Sequence, residues 1–451
     1  MSLLLIAALL AAAPQSPTDA NATPVSLEEA RAEGRKNVQA LLALLDVERA
    51  EEDIRLSRAP LLPQVDFSVS AGGAYYGRQR IVTPVCDPTG TNCVQQGVEV
   101  PGSSRGNYEV SLNLSQVLYD RARWKQLEQS GVSAEATRGQ SVEQADAAEL
   151  EAVNRFYSVY RSQATIQVLE ATVRRSEEQL ERARALFQAG RVGRGEELSA
   201  LVNLGNDRIN LVQRRAQLVQ DQGQLAIWLA RPGSTALVAK DPGILTAAPA
   251  PAPALDAALG EARQRRPLLH ALQQQVRVAQ LGEDISGAGY FPRLVGQGSY
   301  SRGGPNAGPV FTEPRLQNTV SGALVLQWNL FNGFSTGAQA AKASATRRTA
   351  ELNLAQAERE VDATVRAAVE VLQTRIDAAR LAAENREAAV QSLALAEERF
   401  KAGAGSTLEV RDAQLKLTQA ELALLGNRVD VELARFALMR AMGTLSPGES
   451  K

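Results

Sequence analysis

Two apolar series of period seven run side by side through residues 407–445 of this 451-residue chain. One is Leu408, Leu415, Leu422, Val429 and Phe436, and the other is Val410, Leu417, Leu424, Val431 and Leu438. Heptad-spaced apolar residues mark a helix that packs along its length against another helix. The two seams stand two residues apart, which is about 200° around a helix. This helix therefore needs a neighbour on each side, like a stave, and staves curve into sheets or tubes of helices.

The stave is present twice. Phe187-Gln-Ala-Gly190 recurs as Phe400-Lys-Ala-Gly403, and Glu196 falls in the first copy where Glu409 falls in the second. After the earlier turn, Val202 and Ile209 form one series and Leu204, Leu211, Leu218 and Leu225 the other. The chain thus holds two helical hairpins of similar size, an internal repeat that governs the fold.

Composition narrows the chemistry. Net charge is −1 and aromatics are 4%, so there is no basic footprint for nucleic acid. One histidine, His270, and two cysteines leave little for metal or nucleophilic catalysis. A GxG at Gly403–Gly405 is not followed by the rest of a GxGxxG, and no GK[ST] occurs, so nucleotide binding has no support. No cofactor is implied.

Residues 1–13, MSLLLIAALLAAA, look like the apolar core of a secretory signal followed by small residues. No cysteine lies near a cleavage point, so a lipid anchor there is excluded. The expected division is residues 1–22 as signal peptide and spacer, 23–231 as a first repeat, 232–254 as a Pro/Ala-rich linker, 255–445 as a second repeat and 446–451 as a tail.

In order along the chain, Ser26-Leu-Glu-Glu29 is a capping box that predicts a helix to about Arg58. Ala59-Pro60-Leu-Leu-Pro63 stops it. Val65, Phe67, Val69 and Ala71 then alternate with Asp66, Ser68, Ser70 and Gly72. Residues 77–106 read as a loop. Alternation returns with Tyr108, Val110, Leu112 and Leu114. A helix of about 100 Å is predicted over 121–187, and its return partner ends near Trp228. After the linker the plan restarts: helices over 255–266 and 267–287, a stop at Tyr290-Phe-Pro292, a strand over 293–302, a loop over 303–318, and a strand carrying Leu324, Leu326, Trp328 and Leu330.

Four strands of about ten residues, apolar on one face and polar on the other, are the signature of a membrane β-barrel. Barrels leave no open edges in lipid. Four strands are too few to close one, so closure requires several chains. The fold class is mainly α with a membrane β-barrel, built from two repeats of helix, strand, strand and long helical hairpin.

This order resembles the TolC-like outer-membrane efflux proteins. The likeness is carried by Leu61-Leu-Pro63-Gln64 before the first strand and by Gln327-Trp-Asn-Leu-Phe-Asn-Gly333. The two FxAG turns and the ending Met439-Arg-Ala-Met-Gly443-Thr-Leu445 add to it. The resemblance implies a homotrimer with a twelve-stranded barrel in outer-membrane lipid and an α-helical barrel crossing the periplasm. It also implies a passive exit duct docked through a periplasmic adaptor onto an inner-membrane pump. By the same token, 77–106 and 303–318 are external loops and the two hairpin turns are the periplasmic tip.

Glu409 and Asp412, at i and i+3, share a helix face. By the resemblance they line the constricted periplasmic mouth, where two rings of carboxylates favour cations and repel one another. The bland alternative is helix capping, Ser406 with Glu409 and Asp412 at the N-terminus. Glu196 aligns with a family acid at the first tip that a tyrosine of the second hairpin bonds, but Phe400 occupies that place and has no hydroxyl. The substitute partner expected for Glu196 is Arg194 or Arg411, and the favoured alternative is that Glu196 is a plain surface charge. Gly190, Gly193, Gly403 and Gly405 suit tight turns with φ > 0 and, by the resemblance, adaptor docking. Cys86 and Cys93 are expected to pair as a loop staple in an oxidising compartment, since a structural zinc site needs four ligands. His270 carries no expected role. The competing reading is a soluble or envelope-associated coiled-coil scaffold, for which the hairpins alone would suffice.

Overall fold

The computed structural model describes residues 23–86, 88, 90, 93–313 and 318–445, without the side chains of Cys86 and Cys93. The export segment, the C-terminal tail and the disulfide expectation lie outside the described residues. In chain order the elements are β1 (Thr23–Val25), α1 (Leu27–Gly34), α2 (Val38–Arg58), β2 (Gln64–Tyr76), β3 (Gln79–Cys86), β4 (Cys93–Val100), β5 (Ser103–Tyr119), α3 (Arg121–Gln188) and α4 (Arg194–Trp228). There follow β6 (Leu237–Ala239), α5 (Leu255–Arg265), α6 (Pro267–Gly287), β7 (Arg293–Gly304), α7 (Ala307–Thr312), β8 (Asn318–Gln327), α8 (Ser335–Lys401) and α9 (Thr407–Met442). They fall into a helical unit, Met1–Glu48, Glu135–Gln273 and Leu352–Lys451, and a second unit, Arg49–Ala134 and Gln274–Glu351, which carries the strands β2–β5, β7 and β8.

In the helical unit the order of neighbours is α4, α3, α9, α8. Val410 and Leu417 of α9 pack on Leu393 of α8, and Val431 and Leu438 pack on Leu372 and Ala379. Val429 and Phe436 join Val153, Phe156 and Tyr157 of α3 and Leu225 of α4. Leu204 and Leu211 of α4 meet Leu169, Val173 and Leu180 of α3. So one seam of each stave is buried within the chain. The other seam of α4 is not, since Val202 and Ile209 stay exposed, and the second seam of α9 divides, with Val429 and Phe436 buried and Leu408 and Leu415 exposed.

The N-terminal segment differs from the single helix predicted to Arg58. Ser26 caps α1, its hydroxyl accepting from Glu29 N at 3.2 Å, and the box is completed by Glu29. The break comes at Asn37, whose side chain accepts from Gln39 N at 2.9 Å and donates to Trp228 O at 2.7 Å. A local side-chain cap thus outcompetes the continuing helix. Glu149 of α3 accepts from Arg31 Nε at 2.6 Å, while burial, the larger influence, pushes its carboxyl above the usual range. The linker is not wholly irregular either. Leu237-Val-Ala239 pairs in parallel with Thr23-Pro-Val25, and Val25 and Leu237 are fully buried.

In the second unit the sheet runs β2-β5-β7-β8, antiparallel throughout. Its register keeps the alternation in phase across the strands. Phe67, Leu112, Tyr300 and Val320 stand in one row, and Val65, Leu114, Gly298 and Gly322 in another. The opposite face carries Asp66, Asn113, Ser299 and Ser321, then Ser68, Ser111, Ser301 and Thr319. Both outer edges, β2 and β8, are unpaired among the described residues.

The expected loop at 77–106 is largely strand. β2 and β5 run on to a ladder ending at Tyr76↔Ser103, and β3 and β4 form a separate hairpin. Its β-branched residues Ile81, Val85, Val94 and Val98 fall on one face, a two-residue period masked in the sequence by Pro84 and Gly97. The loop at 303–318 contains α7, and β8 ends at Gln327, so Trp328 and Leu330 lie beyond it. No helix among the described residues is long and apolar enough to cross a membrane.

Candidate functional site

The tips of the two hairpins are built alike. Gly190 N donates to Phe187 O at 2.9 Å and Arg191 N to Leu186 O at 2.9 Å. Gly403 N donates to Phe400 O at 3.0 Å and Ala404 N to Arg399 O at 2.9 Å. Both are Schellman ends, with Gly190 at φ 66° and Gly403 at φ 73°. The other two glycines do not take positive φ. Gly193 caps α4 at φ −76°, and a Cβ on Gly405 would meet Phe400 N at 3.0 Å. The first is a cap and the second a close approach of backbones.

The tips are joined by a contact that the sequence reading missed. Thr407, the first residue of α9, donates from Oγ1 to Glu196 Oε2 at 2.6 Å. Neither Arg194 nor Arg411 takes that place. Arg411 instead donates to both carboxylate oxygens of Asp207, at 2.9 and 3.1 Å, and to Ser176 Oγ at 3.1 Å. Ser176 in turn donates to Asp207 at 2.5 Å. Both charged side chains are mostly buried, so this bidentate fork ties α9 to α3 and α4 with charge-assisted bonds. The clue in the sequence was Asp207, an acid set between Leu204 and Leu211 on the apolar seam of α4. Higher up, Thr172 and Thr418 bond each other at 3.0 Å, and Arg161 donates to Asp430 at 2.5 Å.

Phe400 is half buried beside Val410, Ala413 and Leu417, an apolar brace rather than a hydrogen-bond donor. Glu409 and Asp412 remain exposed at the start of α9. Glu409 N donates to Ser406 Oγ at 3.2 Å, and its carboxylate lies 3.9 Å from Arg399. Asp412 pairs with Lys416 at 2.7 Å. Neither touches Glu196. Between the tips lies a cavity of about 220 Å³, lined by Glu196, Thr407, Arg411 and Gln414 among others. The arrangement can hold two hairpins together and present exposed, ion-paired carboxylates beside the turn. No acid–base pair with an adjoining nucleophile is assembled there.

A family model described as "Outer membrane efflux protein" matches residues 29–230 and 258–444. No curated protein matches the sequence. Among solved structures, the Campylobacter jejuni CmeC outer membrane channel is similar, with TM-score 0.73 and 14% identity over 93% of this chain and 86% of that one. The structure of CusC gives TM-score 0.77 and 17% identity over 92% of each chain. VceC of Vibrio cholerae gives TM-score 0.73 and 15% identity over 92% of this chain and 96% of its own. The family match spans both repeats, and the folds agree over nearly the whole length. This chain belongs to the outer membrane efflux protein family, an outer-membrane channel fold with a large periplasmic helical part.

Proposed function

We propose that three copies of this chain form a passive exit duct, which receives cargo from an inner-membrane pump through a periplasmic adaptor. The observation that carries the reading is the sheet β2-β5-β7-β8: one face apolar, one face polar, and both edge strands without a further strand partner among the described residues. In lipid each unpaired backbone group costs several kcal/mol, so those edges need partners of matching length. Edge β8 of one copy meeting β2 of the next is a head-to-tail contact, which closes into a ring under rotational symmetry. Three copies would give twelve strands, with Ser68, Ser111 and Ser299 lining the lumen.

The helical unit supports the same reading independently. Val202, Ile209, Val212 and Val219 leave an exposed apolar stripe on α4, and Leu352, Leu381 and Leu395 are exposed on α8. These are the two outer helices of the row. Burying each such side chain against a second copy is worth about 1.5–3 kcal/mol. The rings of Glu409 and Asp412 then form the gate at the periplasmic mouth, and the turns at Gly190, Gly193, Gly403 and Gly405 offer the adaptor its docking surface. Cross-linking in mild detergent tests the assembly: a trimer is expected, and a stable water-soluble monomer overturns it.

A further inference from the structure

We propose that residues 328–334, where the chain leaves β8 for the periplasmic helices, form a rigid anchor for the phospholipid interface on the periplasmic side of the outer membrane. The inference rests on the membrane reading of the sheet given above. The segment reads Trp-Asn-Leu-Phe-Asn-Gly-Phe, and its large apolar side chains are turned out. Leu330, Phe331 and Phe334 are 79%, 73% and 80% exposed. A fixed frame holds them there. Trp328 donates from Nε1 to Tyr290 O at 3.1 Å, which ties the segment to the turn before β7. Asn332 donates from Nδ2 to Thr336 Oγ1 at 2.6 Å, and its Oδ1 accepts from Thr336 N at 3.4 Å. Phe331 and Phe334 pack edge to face on each other, with ring centroids 5.4 Å apart. Gly333 and Phe334 take φ 63° and 66°. Glycine adopts that region freely, but a residue with a Cβ is strained there. The chain bears this strain in a turn that displays a phenyl ring instead of burying it.

Lipid, rather than a second copy, is the occupant that fits. The segment follows directly on the apolar face of β8, where Leu324 and Leu326 are exposed. A neighbouring copy that pairs with β8 takes up the backbone edge in the plane of the sheet. Side chains stand roughly perpendicular to that plane, so the apolar face stays uncovered. The same end of the sheet carries Tyr290 and Phe291, both exposed, just before β7. The guanidinium of Arg121 lies 4.3 Å from the centroid of the Phe291 ring. Amphipathic aromatics, and an arginine that lays its stem on an apolar surface while its charge stays in water, are the chemistry of a membrane–water boundary. The bond from Trp328 to Tyr290 joins the two aromatic groups into one surface. An interface anchored this way fixes how deep the sheet sits in the bilayer.

The test uses the full chain reconstituted into phosphatidylcholine vesicles, in a Cys86→Ser/Cys93→Ser background. An environment-sensitive dye is attached to one new cysteine at a time: Phe331→Cys, Phe334→Cys, Leu324→Cys or Thr319→Cys. Dye at 331 and 334 should emit in the blue-shifted range of an apolar setting. A nitroxide carried on the lipid close to the headgroup should cut that emission about twofold, and one at the end of the acyl chain should cut it less, as for groups seated at the headgroup boundary. Dye at 324, on the apolar face of β8, should be quenched too, whereas dye at 319, on the polar face, should emit as in water and resist quenching. Blue-shifted but unquenched emission at 331 and 334 would place the segment against protein, and water-like emission there would place it in solvent. Either result overturns the anchor, and quenching retained at 324 would leave the membrane reading of the sheet standing. Absence of quenching at 324 would overturn that reading and the anchor with it.

Discussion

Thr407 and Glu196 begin the descending helices of the two hairpins, and the hydroxyl of one donates to the carboxylate of the other at 2.6 Å. Both groups are solvent-accessible, so the bond is worth little as stability. Its value is positional. Thr407→Val should leave thermal unfolding nearly unchanged while speeding hydrogen exchange at residues 187–196 and 400–409 several-fold. Thr407→Ser should restore protection, and equal exchange in all three proteins would show that the tips are held elsewhere.

The stronger tie is the fork from Arg411 to Asp207. Removing one partner strands a mostly buried charge, at a cost of about 3–5 kcal/mol. Asp207→Asn and Arg411→Gln should each lower the melting temperature by several degrees. The double replacement Asp207→Leu/Arg411→Leu should recover most of that loss, because a packed apolar pair needs no solvation. Differential scanning calorimetry on the three variants decides it.

The gate prediction rests on the trimeric reading. Replacing Glu409 and Asp412 with alanine should abolish block by divalent cations and reduce cation preference in planar-bilayer recordings. The pairing of Asp412 with Lys416 and of Glu409 with Arg399 gives a sharper corollary. Lys416→Ala should strengthen the block, since it frees an acid. Identical block in the wild type and the double alanine variant would make these residues helix caps.

Ala230 ends α4 where Gly443 ends α9, and both take positive φ, 55° and 70°. Each closes a Schellman end, through Arg231 N to Ala226 O at 2.8 Å and Thr444 N to Met439 O at 2.8 Å. Alanine is strained there and glycine is not. Ala230→Gly should therefore stabilise the helical unit by about 1 kcal/mol. Gly443→Ala should destabilise by more, because its Cβ would also lie 2.7 Å from the Arg265 carbonyl. Chemical denaturation of both variants measures the contrast.

Cys86 and Cys93 are register partners at the end of the β3–β4 ladder where the chain passes from one strand to the other. Mass spectrometry of the exported protein under non-reducing conditions should find them joined. Cys86→Ser/Cys93→Ser should leave channel conductance within experimental error of the wild type. Free thiols in the wild type would refute the staple.

The long elements were legible because their periods are long. Heptads through Leu204, Leu211, Val410 and Leu417 repeat often enough to outweigh single exceptions, and FxAG marks each turn chemically. What stayed hidden depends on partners distant in sequence. Asn37 breaks a helix because it can reach Trp228 O. Leu237-Val-Ala239 becomes a strand because Thr23-Pro-Val25 lies beside it. The tip contact was missed for a related reason: with no hydroxyl at Phe400, substitutes were sought at Arg194 and Arg411, and the hydroxyl is supplied from Thr407 instead. The β3–β4 hairpin escaped because Pro84 and Gly97 each read locally as loop residues.

The two unpaired edges of the sheet also set a race. In a newly exported chain β2 and β8 are edge strands that pair with no further strand among the described residues, flanked by Phe67, Val320 and Leu324 on one face. Any extended chain satisfies such an edge, correct or not. On the trimeric reading, productive assembly then depends on encounter with two identical copies before encounter with anything else. Yield should therefore rise with local chain concentration at first and fall once mispaired aggregates nucleate. Escort by a holdase that covers strand edges in transit would widen the window between those limits.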